Sequence, residues 1–87
     1  MKIPEKLKIK GIEFNVKFED LGDKLFGNFT EFPPQIRINS KAPKEQQEMT
    51  LFHEVLHILR SDVKEQWVKE IAWDLWLVFK DNKLLKE

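Results

Sequence analysis

The chain has 87 residues and a mass of about 10.5 kDa, enough for one domain built around one small core. Lys and Arg (15) balance Asp and Glu (15), so the charge pattern excludes a dedicated nucleic-acid or anionic-membrane binder. The absence of cysteine excludes disulfides, zinc ribbons and thiol catalysis.

Hydrophobic content of 41% beside 34% charged residues describes a soluble globular domain rather than a disordered chain. The first ten residues are charged throughout, without the apolar stretch of a signal peptide. The longest unbroken apolar run, Leu75 to Phe79, is too short to span a bilayer. The cytoplasm is therefore the expected location.

The first half of the chain alternates. Leu7 and Ile9 face away from Lys6, Lys8 and Lys10, and after Gly11 the pattern resumes as Ile12, Phe14, Val16 and Phe18. Period two on both sides of a glycine predicts an antiparallel hairpin with one buried face. A third strand is expected over 26–30. Pro33-Pro34 enforces a turn, and 35–39 reads as a short strand with Ile36 and Ile38 on one face. The sheet is thus expected to occupy residues 1–39.

The second half changes period. Pro43 suits a helix first turn, and Glu45 and Glu48 favour the positive end of its dipole; this helix is expected over 43–60. Ser61-Asp62 reads as a break and N-cap, and a second helix follows over 63–82. No repeat, linker or low-complexity segment divides the chain. The expected fold is α+β: one domain with a small antiparallel-rich sheet packed on two helices.

One motif carries chemistry. His53-Glu54-Val55-Leu56-His57 is an H-E-x-x-H sequence inside the first helix. Residues i and i+4 lie one above the other, so two imidazoles can reach one metal ion at about 2.0–2.1 Å each. Glu54, rotated by about 100° from His53, reaches a metal-bound water without occupying a coordination position. That is the placement a general base needs in metal-assisted hydrolysis.

On the helical wheel, Leu51, Phe52, Val55, Leu56, Ile58 and Leu59 fill an apolar arc. Thr50, His53, Glu54 and His57 share a polar window of about 100°. The bland alternative is a solvated face that happens to carry both histidines of the chain. Random placement gives this spacing, with a glutamate after the first histidine, about once in 400 chains.

A hydrolytic zinc site needs a third protein ligand and one open position. With no third histidine in the chain, that ligand must be a carboxylate. Asp62, Glu65, Glu70 and Asp74 are the candidates. The wheel of the second helix gives an apolar arc through Trp67, Val68, Ile71, Ala72, Leu75, Val78 and Phe79. Glu65 lies at its edge, beside Trp76, and Glu70 and Asp74 point further from its centre. Glu65 is the best placed and Asp62, at the helix junction, is second. A surface carboxylate in the first turn, favoured by the helix dipole, is the competing explanation for Glu65.

The stretch from Gln46 to His57, followed by the tail Val68-Lys69-Glu70-Ile71-Ala72 and 75–82, resembles the small H-E-x-x-H proteins of phages and mobile elements. These are related to the ImmA/IrrE-type metallopeptidases. The hairpin and the strand before the first helix fit as well, so the resemblance covers most of the chain. It implies a minimal zincin-like domain with an active-site helix and a backing helix. It further implies zinc on His53 and His57, Glu54 as catalytic base, and a second-helix glutamate, matched best by Glu65, as third ligand. Trp76 stands where such proteins carry a tyrosine.

The activity so implied is hydrolysis of a peptide or protein, such as a regulatory protein of a phage or mobile element. The segment 35–39 can pair with an extended substrate if it lies at a sheet edge; an ordinary strand covering the core is the equal alternative. Arg37 and Arg60, the only arginines, are the candidates for stabilising an oxyanion. Trp73 and Leu77, outside the main apolar arc, are expected in core packing, over the cleft or at a dimer contact. The chain is expected to be a monomer or a weak homodimer. The alternative to an enzyme is a non-catalytic metal-binding interaction module.

Overall fold

Lys10 and Gly11 both take positive φ angles, 51° and 80°, the backbone of a tight two-residue hairpin turn. They join β1 (Lys6–Ile9) to β2 (Ile12–Glu19), which pair antiparallel with Leu7 opposite Phe14. Gly11 adopts this conformation at no steric cost. Lys10 does not, and its ammonium is anchored elsewhere, donating to the Leu59 carbonyl at 3.0 Å. The computed structural model describes residues 1–85.

A second hairpin links β3 (Gly27–Glu31) to β4 (Pro34–Asn39) through Phe32 and a cis-bonded Pro33. β4 then pairs with β2 in parallel, Val16 beside Ile36 and Phe18 beside Ile38. The sheet order is β1-β2-β4-β3. The sheet is therefore mixed, with one parallel pairing at its centre.

Of the two readings open for 35–39, this places it as an ordinary strand covering the core and not as a substrate-pairing edge. β4 is an interior strand, and β1 and β3 are the edges. The physical reason is burial: Ile36 and Ile38 are both fully inaccessible, which requires a strand on each side as well as a helix above. Each contributes about 1.5–3 kcal/mol by leaving water.

The helices are α1 (Lys44–Leu59) and α2 (Glu65–Asp81). α1 lies across the sheet through Leu51, with Val55, Ile58 and Leu59 packed against the core of Ile9, Phe14, Val16, Ile36 and Ile38. Its other side receives α2, where the Phe52 and Phe79 rings meet edge-on at 5.3 Å between centroids. The layers run sheet, α1, α2. Among the described residues α2 packs on α1 and on no strand. Among the described residues no helix is long and apolar enough to cross a membrane.

α2 starts later than the sequence pattern predicts. Its N-cap is Lys64, with no side-chain capping bond, and Asp62 instead takes a bidentate pair of bonds from Arg60 at 2.8 and 2.9 Å. The helix is also rotated from the expected arc. It buries Val68, Ala72 and Trp76, leaving Trp67, Ile71, Leu75 and Val78 exposed. Trp76 decides the rotation: its indole N–H donates at 3.0 Å to Glu48, a carboxylate buried on α1. The same rotation carries Glu65 toward α1.

Candidate metal centre

His53 and His57 stand one turn apart on α1, with Nε2 atoms 3.1 Å from each other. Glu65, the first residue of α2, reaches across with both carboxylate oxygens. One lies 2.9 Å from His53 Nε2, the other 2.5 Å from His57 Nε2. The three donor groups fall within 4.8 Å of one another. An N–H on either ring donates to the carboxylate, and a divalent cation replacing those protons would be held by the same lone pairs.

The donor set fits a hydrolytic metal site in type and number: two imidazoles and one carboxylate, with a further side left for water. A tetrahedral ion with bonds of about 2.0–2.1 Å separates its ligand atoms by about 3.3 Å. The two imidazole nitrogens are within a few tenths of an ångström of that spacing. The Glu65 contacts are tighter, as befits hydrogen bonds, and open by rotation of an exposed side chain.

Burial and charge act on these groups in opposite directions. Partial burial lowers the pKa of His53, against the attraction of Glu65, with His57 and Lys69 adding to the lowering. A neutral imidazole is the form that binds a metal ion. Glu54 is buried, and desolvation, followed by the nearby charge of Glu65, pushes its carboxyl from an ordinary 4.5 up to about 7.

Glu54 is set apart from the three donors by its place on the helix. It points toward the start of β3, and one of its oxygens lies 3.7 Å from where a side chain on Gly27 would begin. Gly27 is what lets strand and helix come so close. A Cβ there would overlap the Thr50 methyl group and sit 2.7 Å from the Arg37 carbonyl.

Between the β3 edge, α1 and α2 opens a cleft of about 540 Å³ that reaches His53, Glu54 and Glu65. Met49, Ala72 and Trp73 give it apolar walls, Lys24 and Lys69 charged ones. Trp73, which sequence reasoning left between core, cleft and dimer, is a half-exposed cleft residue.

Of the four carboxylates considered as third ligand, only Glu65 meets the histidines. Asp62 is engaged by Arg60, while Glu70 and Asp74 are exposed beside Trp73 on the far side of α2. Neither arginine serves the site: Arg60 holds Asp62, and Arg37 lies on Asn28 and Glu19. The cations that line the cleft are Lys24 and Lys69, and Lys69 lies four residues after Glu65 on the same helix face. That spacing was visible in the sequence and pointed to it.

Asn39 is a second residue that pattern reading missed. Buried at the end of β4, it donates to the Gly22 and Leu25 carbonyls and accepts from the Leu21 and Lys41 amides. It thereby fixes the loop that carries Lys24 and Leu25 into the cleft wall. The chain matches no family model, no curated protein and no solved structure.

Proposed function

We propose that this protein is a zinc-dependent metallopeptidase, a minimal zincin-like domain acting on an extended segment of a peptide or protein in the cytoplasm. The observation that carries the reading is the position of Glu54: a buried carboxylate next in sequence to one of three converging metal-type donors, facing an open cleft and an edge strand. His53, His57 and Glu65 are the residues that hold the ion. Zinc, when bound, supplies Lewis acidity and lowers the pKa of water to about 7.

The chain's own residues do the rest. Glu54 accepts a proton from the attacking water and returns it to the leaving amine. The free edge of β3 offers backbone N–H and C=O groups to a substrate strand, a sequence-tolerant way of holding a peptide beside Glu54. This role moves from 35–39 to 27–31, because β4 has no open edge. Lys69 contributes positive charge to the cleft wall, the kind of group that stabilises an oxyanion. Trp73 and Met49 exclude water from one wall.

The experiment compares the zinc-loaded wild type with Glu54→Gln on a peptide library read by mass spectrometry. The wild type is expected to cleave, and the variant to keep its zinc while losing about 10²–10⁴-fold in rate. Cleavage at equal rates contradicts the role of Glu54. No cleavage by either protein with zinc fully bound assigns the chain to the non-catalytic metal-binding module.

A further inference from the structure

The cleft beside Glu54 runs from His53 back along α1 to Met49 and Gln46. Across from α1 its walls come from two places: Lys24, Leu25 and Phe26 ahead of β3, and Lys69 and Trp73 on α2. Leu25, Phe26 and Trp73 are 42%, 54% and 49% exposed, so three large apolar side chains stand open to solvent around one opening. At about 540 Å³ the space is of a size that holds a small ligand or a few side chains.

Charge selects what enters. The acids lining the cleft are Glu54 and Glu65, and Glu65 is turned onto the two histidines. The bases are Lys24 and Lys69, and neither has a hydrogen bond or ion pair among the described residues. Further along α2, by contrast, Lys80 is taken up by Glu45 at 3.1 Å. Glu70 and Asp74 stand beside Trp73 but do not line the cleft. Lys24 sits on a loop fixed by buried Asn39, whose amide donates to the Gly22 and Leu25 carbonyls at 2.8 and 2.7 Å. The charge of Lys69 reaches His53, which places it toward the metal-type donors.

The distance along the chain is short. Gly27 lies against Glu54, and the three residues from Gly27 back to Lys24 span at most about 10 Å. A substrate strand on the β3 edge that continues past Gly27 therefore meets Lys24 within about three residues. We propose, building on the peptidase reading, that the cleft selects a segment with an acidic side chain within about three residues of the scissile bond. Lys24 and Lys69 attract its carboxylate, and Leu25, Phe26 and Trp73 cover the apolar residues beside it.

The test is fluorescence anisotropy of end-capped peptides of about ten residues, carrying an uncharged dye, on Glu54→Gln with one equivalent of zinc added. Cleavage of the same peptides by the wild type is followed in parallel. Glu, Gln and Lys versions of one Ala/Ser/Leu sequence differ only at two central positions. The Glu peptide is expected to bind about 3–10-fold tighter than the Gln peptide at about 20 mM salt, and to lose that advantage at about 0.5 M. The Lys peptide should be weakest. Adding Lys24→Glu or Lys69→Glu should remove the preference, and the two together should favour the Lys peptide, an inversion that a loosened fold does not produce. Lys24→Gln and Lys69→Gln serve where a charge reversal loses its helical circular dichroism, with the preference lost rather than inverted. Equal affinity for Glu and Gln peptides, or a preference that survives both lysine changes, overturns the proposal. So does tighter binding of a short oligothymidylate, which would make the cleft a nucleic-acid site. A Gln peptide with a free C-terminus that binds as well as the capped Glu peptide assigns the lysines to a terminal carboxylate and overturns the side-chain preference. Uniform cleavage of all three peptides overturns the selectivity and leaves the peptidase reading standing. Selective binding without any cleavage does the reverse.

Discussion

Replacing Gly27 by alanine tests how the edge strand is seated over the helix that carries Glu54. The added Cβ would lie 2.7 Å from the Arg37 carbonyl oxygen and closer still to the Thr50 methyl. Neither neighbour can withdraw. Arg37 belongs to the interior strand β4, and the Thr50 hydroxyl is fixed by its bond to the Gln46 carbonyl at 2.7 Å. β3 must lift from α1, and overpacking of this kind costs about 1–3 kcal/mol. Reduced freedom of the unfolded chain returns about 0.4–1 kcal/mol. The net expectation is a loss of about 1–2 kcal/mol, read by urea unfolding followed through tryptophan fluorescence. Thr50→Ser removes the methyl and keeps the hydroxyl, so it should recover part of the loss in Gly27→Ala but not the share due to Arg37. A Gly27→Ala protein as stable as the wild type would refute the reasoning.

Two further outcomes follow from buried carboxylates. Trp76→Phe keeps an aromatic ring but takes the N–H from Glu48, which is 5% exposed. The lost charge-assisted bond should cost about 1.5–3 kcal/mol in urea unfolding, and a change below about 0.5 would contradict it. In metal-free protein, the fold raises the Glu54 pKa from 4.5 to about 7, so it favours the protonated form. That contribution is complete below about pH 4.5 and lost as pH rises through 7. The stability of the wild type relative to Glu54→Gln should therefore fall, by at most about 3 kcal/mol, between pH 4.5 and 8. Parallel pH curves would show that Glu54 is not held in this way.

Much of this architecture is legible in the sequence because local rules and the fold agree. Alternation around Gly11 places the first hairpin, and Ile36 and Ile38 mark a buried strand. The i, i+4 histidines fix one side of the candidate site. What could not be read is what depends on pairing across the molecule. The parallel contact of β2 with β4 has no local signal, so whether 35–39 lay at an edge or inside the sheet stayed open. The rotation of α2 is set by one long-range bond, Trp76 to Glu48, between residues that each look ordinary on their own helix. The wheel took the larger apolar arc for the packed face. The same rotation brings Glu65 to the histidines and leaves Trp67 and Ile71 outside.

The most direct test of the metal centre is zinc itself. Isothermal titration of metal-free protein, with X-ray absorption on the loaded form, is expected to give one zinc per chain in a shell of two imidazoles and oxygen donors. His53→Ala and His57→Ala should each abolish binding, and Glu65→Ala should weaken it by at least about 10–100-fold. Asp62→Ala, Glu70→Ala and Asp74→Ala should bind as the wild type does. Full zinc occupancy in the His53→Ala, His57→Ala double variant, or a wild type that binds no zinc, would contradict the account.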